Sequence, residues 1–286
     1  MAVEIAAQEQ AILNEVEIPP RPKALITVNE ECKKEDPSFP NIAHAIAEDV
    51  SISSAVLKVV NSAAFRRPNP ISSIDQALNM LGFKRVLSIV NAVSVRNAIN
   101  TSVDLESFWE YCSAVAHACV LVCKKLKMQA LADDAYTLGL FHAAGVPLLI
   151  NHFDDYGDFF TASQNGNWND IINQEQDKYH TTHTTIGALM AQDWSLPETI
   201  VDAIYNVHYC DGIFASGELE EETLRLLAVL KLARHFARVF QNPNEADEEW
   251  QELEGQVCEF LDMEDGALTE MQEDVLMGLE DEAGNS

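Results

Sequence analysis

Apolar residues recur three and four positions apart along nearly the whole chain, and no stretch alternates convincingly between apolar and polar. A helix gathers such positions into one stripe, whereas a half-buried strand needs a period of two. The fold class that follows is all-α. Ile42, Ile46 and Val50 open the pattern, and Ile52, Val56, Leu57 and Val60 continue it. Ile74, Ala77, Leu78 and Leu81 then share a face between Ser72 or Ser73, either of which can cap, and Gly82, which stops the helix. Cys112, Val115, Ala116, Cys119, Val122, Cys123 and Leu126 form a core stripe in which cysteine acts as a small hydrophobe. Ser195, Pro197 and Glu198 read as a helix start with Ser195 as cap. A long helix from about Glu220 to Phe240 carries Lys231 and His235 on its apolar side.

Prolines divide these helices. Pro19-Pro20-Arg21-Pro22 separates an opening acidic helix, with Ile5, Ile12, Leu13 and Val16, from a helix around Ala24 to Glu35, and Arg66-Arg67-Pro68-Asn69-Pro70 must be a loop. The expected organisation is an N-terminal helix over 1–15, a body over 16–240 and a tail over 241–286. The body divides into two packed helical subdomains, about 16–100 and 101–240. No lysine or arginine follows Arg238, and the tail sets acids around Trp250, Leu253, Val257 and Phe260, then Leu268, Met271, Val275 and Leu279. Its simplest reading is a solvated acidic face covering the core, and the alternative is a specific docking tail.

A chain of 286 residues with 47% hydrophobic content can bury a large core. A net charge of -28 opposes a phosphate backbone, which draws its affinity from Lys and Arg, so no nucleic-acid partner is expected. The six cysteines form no CxxC pair, the first residues have neither a basic nor a continuous apolar region, and no window offers the roughly 20 apolar residues of a membrane span. A cytoplasmic, reduced protein that does not insert in a membrane fits these features.

The chemistry concentrates on four histidines in helical contexts: His117, His142, His183 and His208. His142 lies in the apolar run Leu138-Gly139-Leu140-Phe141-His142-Ala143-Ala144-Gly145. A lone helical histidine is usually a hydrogen-bonded core or surface group, and His183 and His208 are expected to be exposed near helix ends. Lys231 and Arg234 offer an anion a site, although a basic pair on a long helix is more often a solvated face. Asn61 and Ser62 end an apolar helix, where they cap it and brace the proline loop or dock a partner. Arg66 and Arg67 form the densest basic spot, suited to an acidic partner, to the chain's own tail or to plain solvation.

Two blocks carry a family resemblance. The first runs from Ala47 through Asn61-Ser62-Ala63-Ala64-Phe65, Ser72-Ser73-Ile74-Asp75-Gln76-Ala77 and Leu81-Gly82-Phe83-Lys84-Arg85. The second holds Tyr179-His180-Thr181-Thr182-His183, then Trp194 to Ile204 and His208. Together, from about Val16 to Phe240, they resemble the HDOD domain, a bacterial signal-transduction module related to the HD-type metal-dependent phosphohydrolases. An HD hydrolase needs a histidine, a His-Asp doublet and a distal aspartate around one or two divalent metals. The resemblance places His117 at the first histidine and His142 in the doublet, which implies that His117 and His142 approach one another. It also implies that Ala143 replaces the doublet's aspartate and that Arg234 stands near the distal one.

Two required carboxylates are thus lost, and a cation in their place opposes metal binding. The expectation is a non-enzymatic regulatory module without metal or cofactor, acting on a protein partner in a signalling pathway or binding a small anionic ligand. The alternative is a divergent HD-type phosphohydrolase of nucleotides or phosphoesters that recruits Asp133, Asp134 or Asp211.

Overall fold

The computed structural model describes residues 15–34, 36–61, 70–99, 105–163, 168–209 and 212–283, and among them every regular element is helical. The opening helix over 1–15, Ser62, Arg66, Arg67 and Asp211 therefore lie largely or wholly outside the described residues. The first group of helices is α1 (Lys23–Cys32), α2 (Phe39–Glu48), α3 (Val50–Val60), α4 (Ile74–Leu81) and α5 (Phe83–Ala98). The second is α6 (Glu106–Lys125), α7 (Ala132–Phe141), α8 (Gly145–His152), α9 (Tyr156–Ser163), α10 (Trp168–Tyr179), α11 (His183–Asp193), α12 (Glu198–Tyr205) and α13 (Glu221–Gln241). Two tail helices follow, α14 (Glu248–Phe260) and α15 (Ala267–Ala283).

Local sequence explains the first group. The Ser38 hydroxyl accepts from the Asn41 N–H at the start of α2, and the Asp49 carboxylate accepts from Ile52 N–H at the start of α3. Of the two serines before α4, Ser73 is the cap; Ser72 instead donates its N–H to the Gln76 side chain, so the pair closes a reciprocal box. Gly82 ends α4 at φ 82°, a left-handed conformation that favours glycine. Asn61 is committed to the chain: its amide donates to the carbonyls of Leu57 and Ile71, both at 2.8 Å, and its Oδ1 accepts from Ile71 N–H at 2.7 Å. It braces the ends of the proline loop, the structural half of what its position suggested.

α5 packs on α7, and there Arg85 donates to the Asp133 carboxylate at 2.6 Å. One apolar cluster runs from Val16 to Leu279, and α6 lies at its centre against α7, α13 and α15. Cys112, Cys119 and Cys123 are buried in it, and burial pushes the Cys119 thiol well above its usual range, as expected of packing residues.

Two glycines let the second group close up. A Cβ at Gly145 would lie 2.0 Å from the His183 carbonyl oxygen, so only glycine lets α8 meet the start of α11. A Cβ at Gly139 would lie 2.6 Å from the Ala116 Cα, which fixes α7 against α6. One expected start is corrected: Ser195 adopts φ 59°, Pro197 precedes the first turn of α12, and the Ser195 hydroxyl accepts from Arg21 instead of capping. The left-handed turn that ends α11 pulls Ser195 out of the extended geometry a cap requires.

Candidate functional site: a histidine cavity closed by an arginine and a tail glutamate

A cavity of about 350 Å³ opens between α6, the α7–α8 junction, α11 and α13, a volume suited to a small ligand. His142, Ala143, His183, His208 and Arg234 all line it. The geometry thus brings together four of the five residues of the expected pocket, with the Ala143 methyl where the resemblance implies an aspartate.

His117 is not among the lining residues. Its ring instead neighbours Tyr136, with centroids 5.7 Å apart. The α6 residues that face the cavity are Ser107, Phe108 and Tyr111, and the Tyr111 ring stands 6.1 Å from that of His142. Six positions beyond Tyr111 turn a helix by roughly 240° past a full circle, which carries His117 to another face. The place expected for a first histidine is held by a phenol. Burial, above all, pushes the Tyr111 hydroxyl up to about 12, so it is a neutral group.

His142 sits at the C-terminus of α7, where its Nδ1–H donates to the Gly139 carbonyl at 2.6 Å. Burial and then the Arg234 charge push its pKa down to about 3, so the ring is neutral with its lone pair on Nε2. His183, expected near the surface, is 1% exposed. Its ring Nδ1 and its backbone N–H both meet the Glu175 carboxylate, at 2.9 and 3.0 Å. Glu175, from α10, is itself fully buried and also accepts from the Tyr156 hydroxyl. These partners fix the orientation of the His183 ring, 5.1 Å from the ring of His208.

His208, expected near the surface, is also buried, and burial together with Arg234 drives its pKa well below the usual range. Its Nδ1 lies 3.5 Å from Arg234 Nη1 and 3.4 Å from a Glu249 oxygen. Lys231 and Arg234, whose simpler reading was a solvated face, are 3% and 7% exposed. Arg234 Nη1 donates to Glu249 Oε1 at 2.9 Å, and Lys231 Nζ reaches the same oxygen at 3.3 Å and the Val207 carbonyl at 2.7 Å. These cations, above all Arg234, hold the Glu249 carboxyl well below the carboxylate range despite its burial.

Glu249 belongs to α14, so the tail is more than a solvated face. Most of its acids are exposed, but Glu249, Trp250, Leu253 and Val257 point inward. Asp247, the α14 cap, also accepts from His235 at 2.9 Å, and the Trp250 ring stacks on His235 at 4.7 Å. A single glutamate in an acidic tail has no sequence signal that separates it from its neighbours. Glu175 is equally silent, although its place eight residues before His183 permits the contact.

These residues do not fit a divalent metal. Among the described residues, no group of three or more His, Cys, Asp or Glu side chains is arranged to hold one. Glu249 is held by two fixed cations, a guanidinium lines the cavity, and the alanine methyl supplies no oxygen. Asp133 and Asp134 do not line the cavity either; Asp133 faces Arg85 at the first turn of α7.

The fold and pocket define an all-helical module whose histidine cavity is lined by an alanine methyl and a guanidinium. The chain belongs to the HDOD family, whose domain matches residues 18–210. It is similar to an uncharacterized protein of Treponema pallidum (strain Nichols), 25% identical over 191 residues and 66% of this chain, and spans 37% of that protein's length. A solved structure from Shewanella amazonensis, provisionally named a phosphohydrolase, superposes with a TM-score of 0.72 over 98% of this chain and 99% of its own at 23% identity. A Marinobacter aquaeolei structure, provisionally named a signal transduction protein, gives 0.60 over 99% of this chain and 63% of its own at 16% identity. At these identities the structures establish the shared fold. No described helix is long and apolar enough to cross a membrane.

Proposed function

We propose that the chain is a non-catalytic regulatory module that binds a small anionic ligand in the histidine cavity and passes its occupancy to a protein partner. The observation that carries this reading is the pairing of the Ala143 methyl with the Arg234 guanidinium in one cavity. A water-activating metal needs anionic oxygen at such places, whereas a ligand anion needs a fixed cation. Arg238 lines the same cavity half-buried, and among the described residues it makes no ion pair, so it is the cation available to an incoming oxyanion. The neutral His142 Nε2 accepts a hydrogen bond, and Phe108, Tyr111 and Phe160 supply apolar wall. The ligand that suits this lining carries an anionic group, a hydrogen-bond donor and some apolar surface.

The family supports a signalling role, and the Marinobacter protein shows the same fold within a longer chain. Elemental analysis of the purified protein, run beside phosphoester turnover with added Mn, Fe, Ni or Zn, tests the reading. It expects no stoichiometric metal and no turnover above a His142→Ala control. Stoichiometric metal together with His142-dependent hydrolysis would favour the divergent phosphohydrolase instead.

A further inference from the structure

Two buried cations of α13, Arg234 and Lys231, converge on one carboxylate oxygen of Glu249, which comes from the next helix, α14. Glu249 supplies the carboxylate that both buried charges share, and so occupies an anion site built on α13. Arg234 is also a wall of the large cavity, and with Tyr111 and Arg238 it lines both that cavity and the narrow crevice under α14, which Glu249 and Trp250 complete. One guanidinium therefore separates the space open to a ligand from the carboxylate that holds the tail helix.

We propose that Glu249 is an internal competitor for an oxyanion: a phosphoryl or carboxyl group of a small ligand that engages Arg234 and Arg238 from the cavity weakens the hold on Glu249 and loosens α14. The coupling is negative because two carboxylate-like charges on one guanidinium, in a water-poor site, repel each other. The rest of the α14 attachment is Asp247 on His235, the Trp250 stack, an apolar stripe through Leu253 and Val257, the Gly212 N–H on the Gln256 side chain and the Phe214–Phe260 contact. The released element would be an acidic amphipathic helix, which is the output a partner reads. By linkage, whatever holds α14 down lowers the affinity for the anion by the same factor. This inference rests on the anion-binding reading of the cavity and adds to it the element that responds.

The test uses the full chain with inorganic phosphate and pyrophosphate as probes. Calorimetry gives their affinities, and hydrogen exchange read by mass spectrometry follows residues 248–260 as each probe is added. Exchange in α14 is expected to rise with saturation while α10, which holds Glu175, stays protected. Glu249→Gln is expected to bind phosphate about ten-fold or more tightly and to start with α14 already exchanging. Asp247→Asn weakens the α14 cap and its hold on His235 while keeping the Arg234–Glu249 bond, and should tighten binding by a smaller factor, which keeps the test open if Glu249→Gln folds poorly. Phosphate that saturates without changing α14 exchange, variants no tighter than wild type, or no phosphate binding by any of the three proteins would each overturn the proposal. Saturation with α14 unmoved removes the latch but leaves the anion cavity, whereas His142-dependent hydrolysis removes the non-catalytic reading.

Discussion

The cavity has a buried glutamate on each side, and the two are held in opposite ways. Glu175, from the body, accepts from the Tyr156 hydroxyl, the His183 backbone N–H and the His183 ring. Glu249, from the tail, meets two fixed cations, Arg234 and Lys231, as well as His208. Around Glu175 the partners orient one imidazole and belong to the same set of packed helices. Around Glu249 they balance full charges, and the carboxylate arrives on a separate helix, α14. The contrast teaches that the first wall is scaffold and the second is where charge can be exchanged with a ligand.

The largest effect should come from unbalancing the tail wall. Glu249→Ala leaves Arg234 and Lys231 buried without their counter-ion, and denaturant titration is expected to show a loss of about 3–5 kcal/mol. A result under about 1 kcal/mol would mean that water reaches both cations and that the two walls do not differ as described. On the scaffold side, Gly145→Ala forces a Cβ into the His183 carbonyl and should cost about 3 kcal/mol or more, since backbone on both helices must move. If it is silent by the same titration, α8 and α11 are not in close contact.

Acid should separate the walls further. His142, with a pKa lowered to about 3, and His208, lowered in the same direction, bind fewer protons folded than unfolded. Their burial as neutral rings therefore loses stability as pH falls below about 6.5, at up to about 1.4 kcal/mol per unit for each group. Glu249, whose folded pKa is depressed, adds its own loss only once pH falls below its ordinary value of 4.5. Urea midpoints measured from pH 7 to 4 should thus fall in two stages. His142→Asn, whose amide nitrogen stands where Nδ1 does and can still donate to the Gly139 carbonyl, should make the upper stage shallower, since His208 still contributes to it, and leave the lower one. The smallest effect is Tyr156→Phe, which removes one of several donors to Glu175 and should cost about 1 kcal/mol in the same assay.

The helices were legible wherever the pattern was local. Ser73, Gly82 and the stripe through Cys112 to Cys123 each announce themselves within one or two turns. Ser195 misled because a good cap residue can be claimed by the end of the preceding helix, and its left-handed backbone shows that it was. In the site, Ala143 and Arg234 stood out because the resemblance implies aspartates at or near those places, and both line the cavity. Tyr111 was missed because a histidine six residues on drew the assignment, and only helix phase tells which of the two faces the cavity. Glu175 and Glu249 were invisible for another reason: the chain carries 46 acidic residues, and what sets these two apart is burial against the histidines and cations around the cavity, which no local pattern announces.

The positive charge of the cavity belongs to its arginines, Arg234 and Arg238. Calorimetric titration of the full chain with pyrophosphate, with and without excess Mn, tests it most directly. Binding is expected to be indifferent to Mn and at least ten-fold weaker in Arg238→Gln. Binding that requires Mn and ignores Arg238 would contradict it.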